Sequence, residues 1–251
     1  MSTPIDISEE AGVRYLHFGS DWVQGAMRIR KPNALELAYT REMMAGLLLR
    51  GAEDWPREVL VIGLGAASLA KFLYHHCPQA RIKVVEIAPA VVAAARQFFR
   101  LPAEDARFSI EIGDGAHYVT QGDARFDLIL VDGFDRNARA GALDTLPFYQ
   151  AARARLSARG LVSVNLFGRA KGYKASLERV ITAFDDRALA FPSCDSGNVV
   201  AFGAAGEAIE LPVTELRERA RALKASTGLD LLPTVTRLEQ AGSLPGGTLV
   251  L

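Results

Sequence analysis

Short apolar segments alternate with amphipathic segments through the middle of the chain, and this alternation limits the available folds more than any other feature. Five apolar segments have the length of strands: VLVIGLG (59–65), IKVVEI (82–87), FSIEIGD (108–114), FDLILVDG (126–133) and GLVSVNLF (160–167). The segments between them place apolar residues at helical spacing. Strands that are apolar on both faces and alternate with helices predict an α/β fold with a Rossmann-like, doubly wound and mostly parallel sheet.

Residues 1–33 precede this pattern and predict a small N-terminal β region. Two segments rich in apolar and aromatic residues, VRYLHFGS and DWVQGAMRIR, flank a turn at Gly19-Ser20-Asp21, which is typical of a hairpin. A helix is then predicted from Ala34 to Arg50, with Asn33 as its N-cap and Gly51 as its C-cap.

Residues 34–205 are predicted to form the Rossmann-like domain. It ends in an antiparallel pair of strands, RALAFP (187–192) and GNVVAFG (197–203). Residues 206–251 follow as a charged amphipathic helix and then an irregular tail, because Pro233, Pro245 and the glycines after Pro245 favour irregular structure. We expect this tail to pack on the same domain.

Composition and charge exclude several classes of protein. Lys and Arg together number 29, as do Asp and Glu, so the formal net charge is zero and no nucleic-acid partner is expected. No apolar segment approaches the roughly 18 residues that span a membrane, so no membrane partner is expected either. Two cysteines and four histidines form no CxxC or HExxH pattern, which predicts no metal site. The acidic N-terminus is unlike a signal peptide, so the expected compartment is the cytoplasm.

The ends of the predicted strands are the places to look for ligand-binding residues, because open parallel sheets bind ligands outside the carboxyl ends of their strands. The first strand ends in the glycine turn Gly63-Leu64-Gly65 ahead of a helix, where the backbone can approach a ligand. The second ends at Glu86, at the distance typical of an acidic residue that accepts ribose hydroxyls. An ordinary turn and a solvated carboxylate are the alternatives for each taken alone. Together they predict a nucleoside site.

The third and fourth strands end in further carboxylates. Asp114 could accept from an adenine amine while the Ala116 N–H reaches a ring nitrogen, although an Asp that caps the next helix is the alternative. Asp132 and Asp135 follow the fourth strand in one loop. Two carboxylates converging there could hold a cationic amine and accept its proton.

In this order and spacing, these motifs resemble the spermidine synthase (polyamine aminopropyltransferase) family, a branch of the class I S-adenosylmethionine-dependent methyltransferase fold. The resemblance covers roughly residues 13–205 and is carried by LHFGSDWVQGAM, ELAYTREMM, VLVIGLGAAS, VVEIAPAVVAAARQFF, IEIGDGAHYV, FDLILVDGFD and GLVSVNLFG. It implies transfer of an aminopropyl group from decarboxylated S-adenosylmethionine to an amine, with methylthioadenosine as the by-product. It also implies a homodimer.

The resemblance also implies a role for individual residues. It implies that Asp132 is the base and that Asp135 helps to hold the attacking amine. It assigns the ribose to Glu86 and adenine to Asp114 and Gly115. The other predicted donor contacts are Gln24, Gly63, Gly65, Ile87 and Ala116, and the other predicted acceptor contacts are Tyr39 and Arg41.

Three departures from the family's pattern keep other functions open. Ala66 stands where the family has an Asp that contacts the donor's ammonium group, and Thr40-Arg41 replace its usual Tyr-His. Arg136 replaces a Pro, with Arg139 close behind, and guanidinium groups beside the site would repel a polyamine. The alternatives are a methyltransferase that uses intact S-adenosylmethionine on a small or anionic acceptor, and a nucleoside-binding relative without activity.

Overall fold

Three antiparallel strands begin the fold in a computed structural model, which describes residues 4–20, 22–51, 53–135, 139–168, 172–193 and 197–251. The strands are β1 (Asp6–Glu10), β2 (Val13–His17) and β3 (Val23–Arg28). The sequence predicted the hairpin of β2 and β3 but not β1, whose polar sequence DISEE is mostly exposed and lacks apolar alternation. Asp21, in the predicted turn, lies outside the described residues.

The helix predicted from Ala34 is shorter than expected and is broken in two. It consists of α1 (Ala38–Met43) and α2 (Gly46–Arg50), and the N-cap is Leu37 rather than Asn33. The Arg41 guanidinium donates to the carbonyls of Leu35 and Glu36, at 3.1 and 2.7 Å, and these bonds hold the preceding segment outside the helix. The predicted end is confirmed, since Gly51 follows α2 with φ of +78°.

A central sheet of seven strands follows, with the order β6-β5-β4-β7-β8-β10-β9. Its strands are β4 (Glu58–Ile62), β5 (Arg81–Glu86), β6 (Phe108–Ile112), β7 (Phe126–Val131), β8 (Leu156–Phe167), β9 (Ala188–Ala190) and β10 (Asn198–Ala204). The first five run parallel, and β10 is antiparallel to both of its neighbours, β8 and β9. Strand order reverses between β4 and β7, so these two strands flank the switch point where such sheets bind ligands.

Helices cover both faces of this sheet, as a doubly wound fold requires. They are α3 (Ser68–His76), α4 (Pro89–Phe98), α5 (Gly115–Gln121), α6 (Leu146–Ala154) and α7 (Tyr173–Ala183). Consecutive residues of β4 point to opposite faces: Val59 and Val61 pack in the core with α3 and α4, whereas Leu60 and Ile62 pack with α5, α6 and α7. Both faces of the strand are therefore buried, which confirms the predicted class I methyltransferase-like α/β fold.

The C-terminal segment is regular, and the prediction of an irregular tail is wrong. It consists of β11 (Glu210–Pro212), α8 (Val213–Thr227), α9 (Leu232–Gln240) and β12 (Thr248–Val250), and β12 returns to pair with β11. Pro233 lies in the first turn of α9, where proline needs no backbone N–H. Val235 and Leu238 of α9 are buried in the main core. Within the described residues, none of the helices has the length and apolar character that crossing a membrane requires.

Candidate functional site

A cavity of about 840 Å³ lies over the carboxyl ends of the parallel strands, at the switch point between β4 and β7. The N-terminal sheet, α1 and the loop after β7 complete its wall. Ten of the predicted site residues line it: Gln24, Tyr39, Gly63, Gly65, Glu86, Ile87, Asp114, Gly115, Asp132 and Asp135. The predicted residues Arg41 and Ala116 are not part of the wall.

The glycine turn after β4 is required by close approaches of backbone. Gly63 has a φ of +89°, and a Cβ there would collide with the carbonyl oxygen of Asp132 on the neighbouring strand end. Gly65 has a φ of +49°, and its Cβ would lie 3.0 Å from the Gln24 carbonyl oxygen in the N-terminal sheet. These glycines therefore bring three backbone segments together at the floor of the cavity.

Glu86 ends β5 and is buried, with 6% of its surface exposed. Its Oε2 accepts from the Leu64 N–H and its Oε1 from the Ala88 N–H, both at 2.8 Å. Burial raises the pKa of the Glu86 carboxyl, and the backbone N–H donors partly oppose this. The two carboxylate oxygens together offer about four acceptor sites, so the carboxylate can still accept from a ligand hydroxyl. Beside it, the apolar Ile87 side chain is 68% exposed on the cavity wall.

Asp114 caps α5, which is the alternative that its sequence left open. Its Oδ1 accepts from the Ala116 N–H at 2.7 Å and from the His117 N–H at 3.2 Å. The side chain still lines the cavity. The sequence predicted that the Ala116 N–H would face a ligand. In the structure it donates to Asp114 instead, and Ala116 does not line the cavity.

Asp132 accepts hydrogen bonds from two side chains. Tyr39 Oη donates to its Oδ2 at 3.2 Å, and Asn165 Nδ2 donates to its Oδ1 at 2.8 Å. Asn198 Nδ2 in turn donates to Asn165 Oδ1 at 2.9 Å. Burial raises the pKa of Asp132, and the two direct hydrogen bonds lower it. The carboxylate is therefore held in one orientation by neutral donors.

Asn165 and Asn198 both line the cavity, and neither was predicted from the sequence. One signal was present, since Asn165 interrupts the otherwise apolar end of β8, and it is 4% exposed. A polar side chain in a buried strand needs a partner. Asn198 lies at the start of a strand that was predicted only as an outer antiparallel addition, so nothing pointed to it.

Asp135 and Arg139 close a loop at the rim. The Asp135 N–H donates to the Arg139 carbonyl at 3.0 Å, and the Arg139 N–H donates to Asp135 Oδ1 at 2.9 Å. Both residues line the cavity and are exposed. Arg136, the other arginine of concern, lies outside the described residues.

Two further positions singled out in the sequence, Arg41 and Ala66, do not line the cavity. Arg41 faces the carbonyls of Leu35 and Glu36, so its position does not support the predicted contact with an acceptor. The Ala66 side chain is 2% exposed and packs in a small core with Leu16 and Met27, away from the cavity. The rings of Trp22 and Phe167 also meet edge to face on the cavity wall, with centroids 5.5 Å apart.

Comparison with known proteins identifies the family to which the chain is similar. The Spermine/spermidine synthase domain model matches residues 36–169. The polyamine aminopropyltransferase of Chromobacterium violaceum is 36% identical over 98% of this chain and 94% of its own length. That of Neisseria meningitidis (serogroup A) is 38% identical over 90% of this chain and 85% of its own.

Solved structures agree on the fold. A probable spermidine synthase from Corynebacterium glutamicum superposes with a TM-score of 0.71 at 20% identity, over 88% of this chain and 84% of that one. Human methyltransferase-like protein 13, solved in complex with SAH, superposes with a TM-score of 0.68 at 27% identity, over 76% and 92%. With its family domain, its full-length relatives and its fold in agreement, the chain belongs to the spermine/spermidine synthase family.

Proposed function

We propose that this enzyme transfers an aminopropyl group from a decarboxylated S-adenosylmethionine-type sulfonium donor to a small amine, releasing methylthioadenosine. The observation that carries the proposal is one cavity in which Glu86 and Asp114 lie at the ends of β5 and β6 while Asp132 and Asp135 follow β7. Its relatives along nearly the whole chain are named polyamine aminopropyltransferases, which supports the same chemistry here.

The charges on the wall favour cationic ligands. Four carboxylates line the cavity, and among its described residues Arg139 is the cation. An excess of carboxylates attracts both a sulfonium donor and an ammonium acceptor. We assign the nucleoside to the end with Glu86, Ile87 and Asp114, and a related protein of this fold binds SAH.

The reaction then needs one proton acceptor beside the attacking nitrogen. A primary amine has a pKa near 10, so it arrives as an ammonium ion. Asp132 takes one proton, and the freed lone pair attacks the methylene carbon next to sulfur. The C–N bond forms as the C–S bond breaks, and its electron pair returns to sulfur, which leaves neutral methylthioadenosine. Asp132 releases its proton to solvent afterwards.

The surroundings of Asp132 suit it to accept the proton. Burial raises the pKa of its carboxyl, which makes the ionised form a stronger base. The hydrogen bonds from Tyr39 and Asn165 keep the carboxylate oriented before the amine binds. Asp135 stands at the rim, where it can neutralise a second positive charge on the acceptor.

One observation favours a second candidate, an S-adenosylmethionine-dependent methyltransferase. The Ala66 methyl group is buried away from the cavity, so position 66 offers no carboxylate to hold a donor ammonium or to repel an intact donor's carboxylate. The donor is therefore the point that an experiment must decide.

Calorimetry with both sulfonium ligands, followed by chromatographic detection of methylthioadenosine in the presence of putrescine, tests the proposal. We expect tighter binding of the decarboxylated ligand and formation of methylthioadenosine. Asp132→Asn should abolish turnover and leave methylthioadenosine affinity nearly unchanged, while the exposed Asp123→Asn serves as a matched control with full activity. Tighter binding of the carboxylated ligand would refute aminopropyl transfer.

The predicted homodimer and the cytoplasmic location stay predictions of the sequence. Analytical ultracentrifugation at micromolar concentration tests the first, and a monomer would contradict it. The predicted domain bounds and the absence of a metal requirement also remain predictions. Activity that is unchanged after dialysis against a chelator would support the latter.

A further inference from the structure

Two consecutive hydrogen bonds connect Asp132 to Asn198, which lies on the strand beyond β8. Asn165 Nδ2 donates to Asp132 Oδ1 at 2.8 Å, and Asn198 Nδ2 donates to Asn165 Oδ1 at 2.9 Å. Sheet register explains the arrangement. Val131 of β7 pairs with Val164 of β8, so Asp132 comes level with Asn165.

The second hydrogen bond, from Asn198 to Asn165, follows from the antiparallel pairing of β8 and β10. Asn198 stands opposite Phe167, which is two residues beyond Asn165 and on the same face. Diagonal neighbours of this kind are within reach of each other's side chains. Three adjacent strands therefore present Asp132, Asn165 and Asn198 in one row.

The direction of the row matters because a carboxamide has a donor end and an acceptor end. With its oxygen accepting from Asn198, Asn165 must turn its NH₂ group toward Asp132. The reversed amide would place its oxygen against a carboxylate oxygen, an arrangement that only protonated Asp132 could satisfy. Asn165 is 4% exposed, so water does not readily substitute for either partner.

We propose that Asn198 is a positioning residue, which fixes the carboxamide of Asn165 so that Asn165 donates to Asp132 and holds it in the ionised, proton-accepting form. The proposal rests on the proposed function, because that function makes Asp132 the base. Asn198 itself need not touch either substrate.

The decisive variant is Asn198→Asp. An aspartate at 198 can only accept at this position when ionised, so it draws the NH₂ group of Asn165 toward itself and turns the amide oxygen to Asp132. Losing a hydrogen bond to its charged form makes Asp132 harder to ionise. The acid limb of kcat/KM should then move upward by about one to two pH units, the shift expected for one hydrogen bond to a charged group.

The measurement is the ratio of kcat/KM between variant and wild type from pH 5 to 10, since this ratio cancels the titration of the amine substrate. The other titratable or charged side chains on the described cavity wall are Tyr39, Glu86, Asp114, Asp135 and Arg139, and all are unchanged in both proteins. We expect the ratio to be low at acidic pH and to recover at high pH. A purely structural defect would lower it equally at every pH.

Asn33→Asp is the matched control, because it makes the same chemical change in a loop that does not line the cavity. The ratio of its kcat/KM to that of wild type should not vary with pH. If Asn198→Asp does not fold, Asn198→Leu decides instead: it removes the donor without adding charge, and a smaller shift in the same direction is expected. An unshifted acid limb in the folded variant overturns the proposal.

A double-mutant cycle separates reorientation of the amide from the direct effect of a new charge. In an Asn165→Leu background there is no amide to turn, so adding Asn198→Asp should move the acid limb by less than it does with Asn165 present, since only the direct repulsion of the new charge remains. A full shift in that background would show that charge acts directly, and would overturn the role of Asn165. Failure of the proposed function is distinguishable, because wild type itself would then form no methylthioadenosine.

Discussion

Replacing Gly63 with Ala tests whether the contact between the ends of β4 and β7 holds the site together. The new methyl group must occupy a left-handed conformation, at a φ of +89°, and must collide with the Asp132 carbonyl oxygen. The conformational strain costs about 1–2 kcal/mol. Forcing a methyl group into a packed contact adds about 1–3 kcal/mol. We therefore expect Gly63→Ala to lower the free energy of unfolding by about 2–5 kcal/mol.

Thermal denaturation and calorimetry with methylthioadenosine measure the two consequences. For a chain of this size each kcal/mol lowers Tm by roughly 2–4 °C, so Tm should fall by about 10 °C. Ligand affinity should fall at least about tenfold, because the displaced backbones of Gly63 and Asp132 both line the cavity.

Gly228→Ala is the matched control for this experiment. Gly228 ends α8 with φ of 77° and ψ of −1°, and a Cβ there would meet nothing within 4 Å. This variant therefore has the left-handed strain without the collision, and should lower Tm by only a few degrees with unchanged ligand affinity. If Gly63→Ala loses no more stability or affinity than Gly228→Ala, the collision has no effect and the reasoning is wrong.

Three further predictions concern charges around the cavity. Burial raises the folded-state pKa of Asp132, so its contribution to stability is present below the unfolded pKa of about 3.9 and is lost as pH rises through the folded value. Asp132→Asn should therefore have a higher Tm than wild type at pH 7 and the same Tm near pH 3, and equal values at pH 7 would contradict this. Ala66→Asp should destabilise the protein by several kcal/mol rather than improve donor binding, because the carboxylate would be buried. Ala103→Asp, at an exposed position, is the control, and a lower KM for the donor in Ala66→Asp would show that position 66 faces the donor after all. Arg139→Ala should lower the KM for a diamine by about two- to fivefold at low salt, less at high salt, and a raised KM would show that Arg139 helps to bind the acceptor.

The positions of Glu86, Asp114, Asp132 and Asp135 could be predicted from the sequence for one reason. Apolar runs mark parallel strands, and the carboxyl ends of those strands meet at one edge, so a residue's place along its run fixes its place in the fold. The glycines that brace this edge could be predicted by the same argument.

Side-chain direction could not be predicted in this way. Arg41 was expected at the cavity because the resemblance to the family assigns its position a contact with the acceptor; in the structure its guanidinium donates instead to the carbonyls of Leu35 and Glu36, which precede α1. Asn198 was missed because its role depends on register between two antiparallel strands, which composition does not encode. Strand β1 was missed because its polar residues carry no alternation, and α9 because a proline in a first turn resembles one in a loop.

The N-terminal sheet rests directly on the glycine turn, with Gly25 so close to Ala66 that a Cβ on Gly25 would lie 2.6 Å from the Ala66 Cβ and 2.7 Å from its backbone nitrogen. The two main chains leave no room for a side chain at position 25, so any substitution there must push the N-terminal sheet and the glycine turn apart. After β7, Arg139 and Ala142 also line the cavity, and both are exposed. Libraries aimed at bulkier acceptors should therefore yield active clones when they vary Arg139 and Ala142, and inactive ones when they vary Gly25.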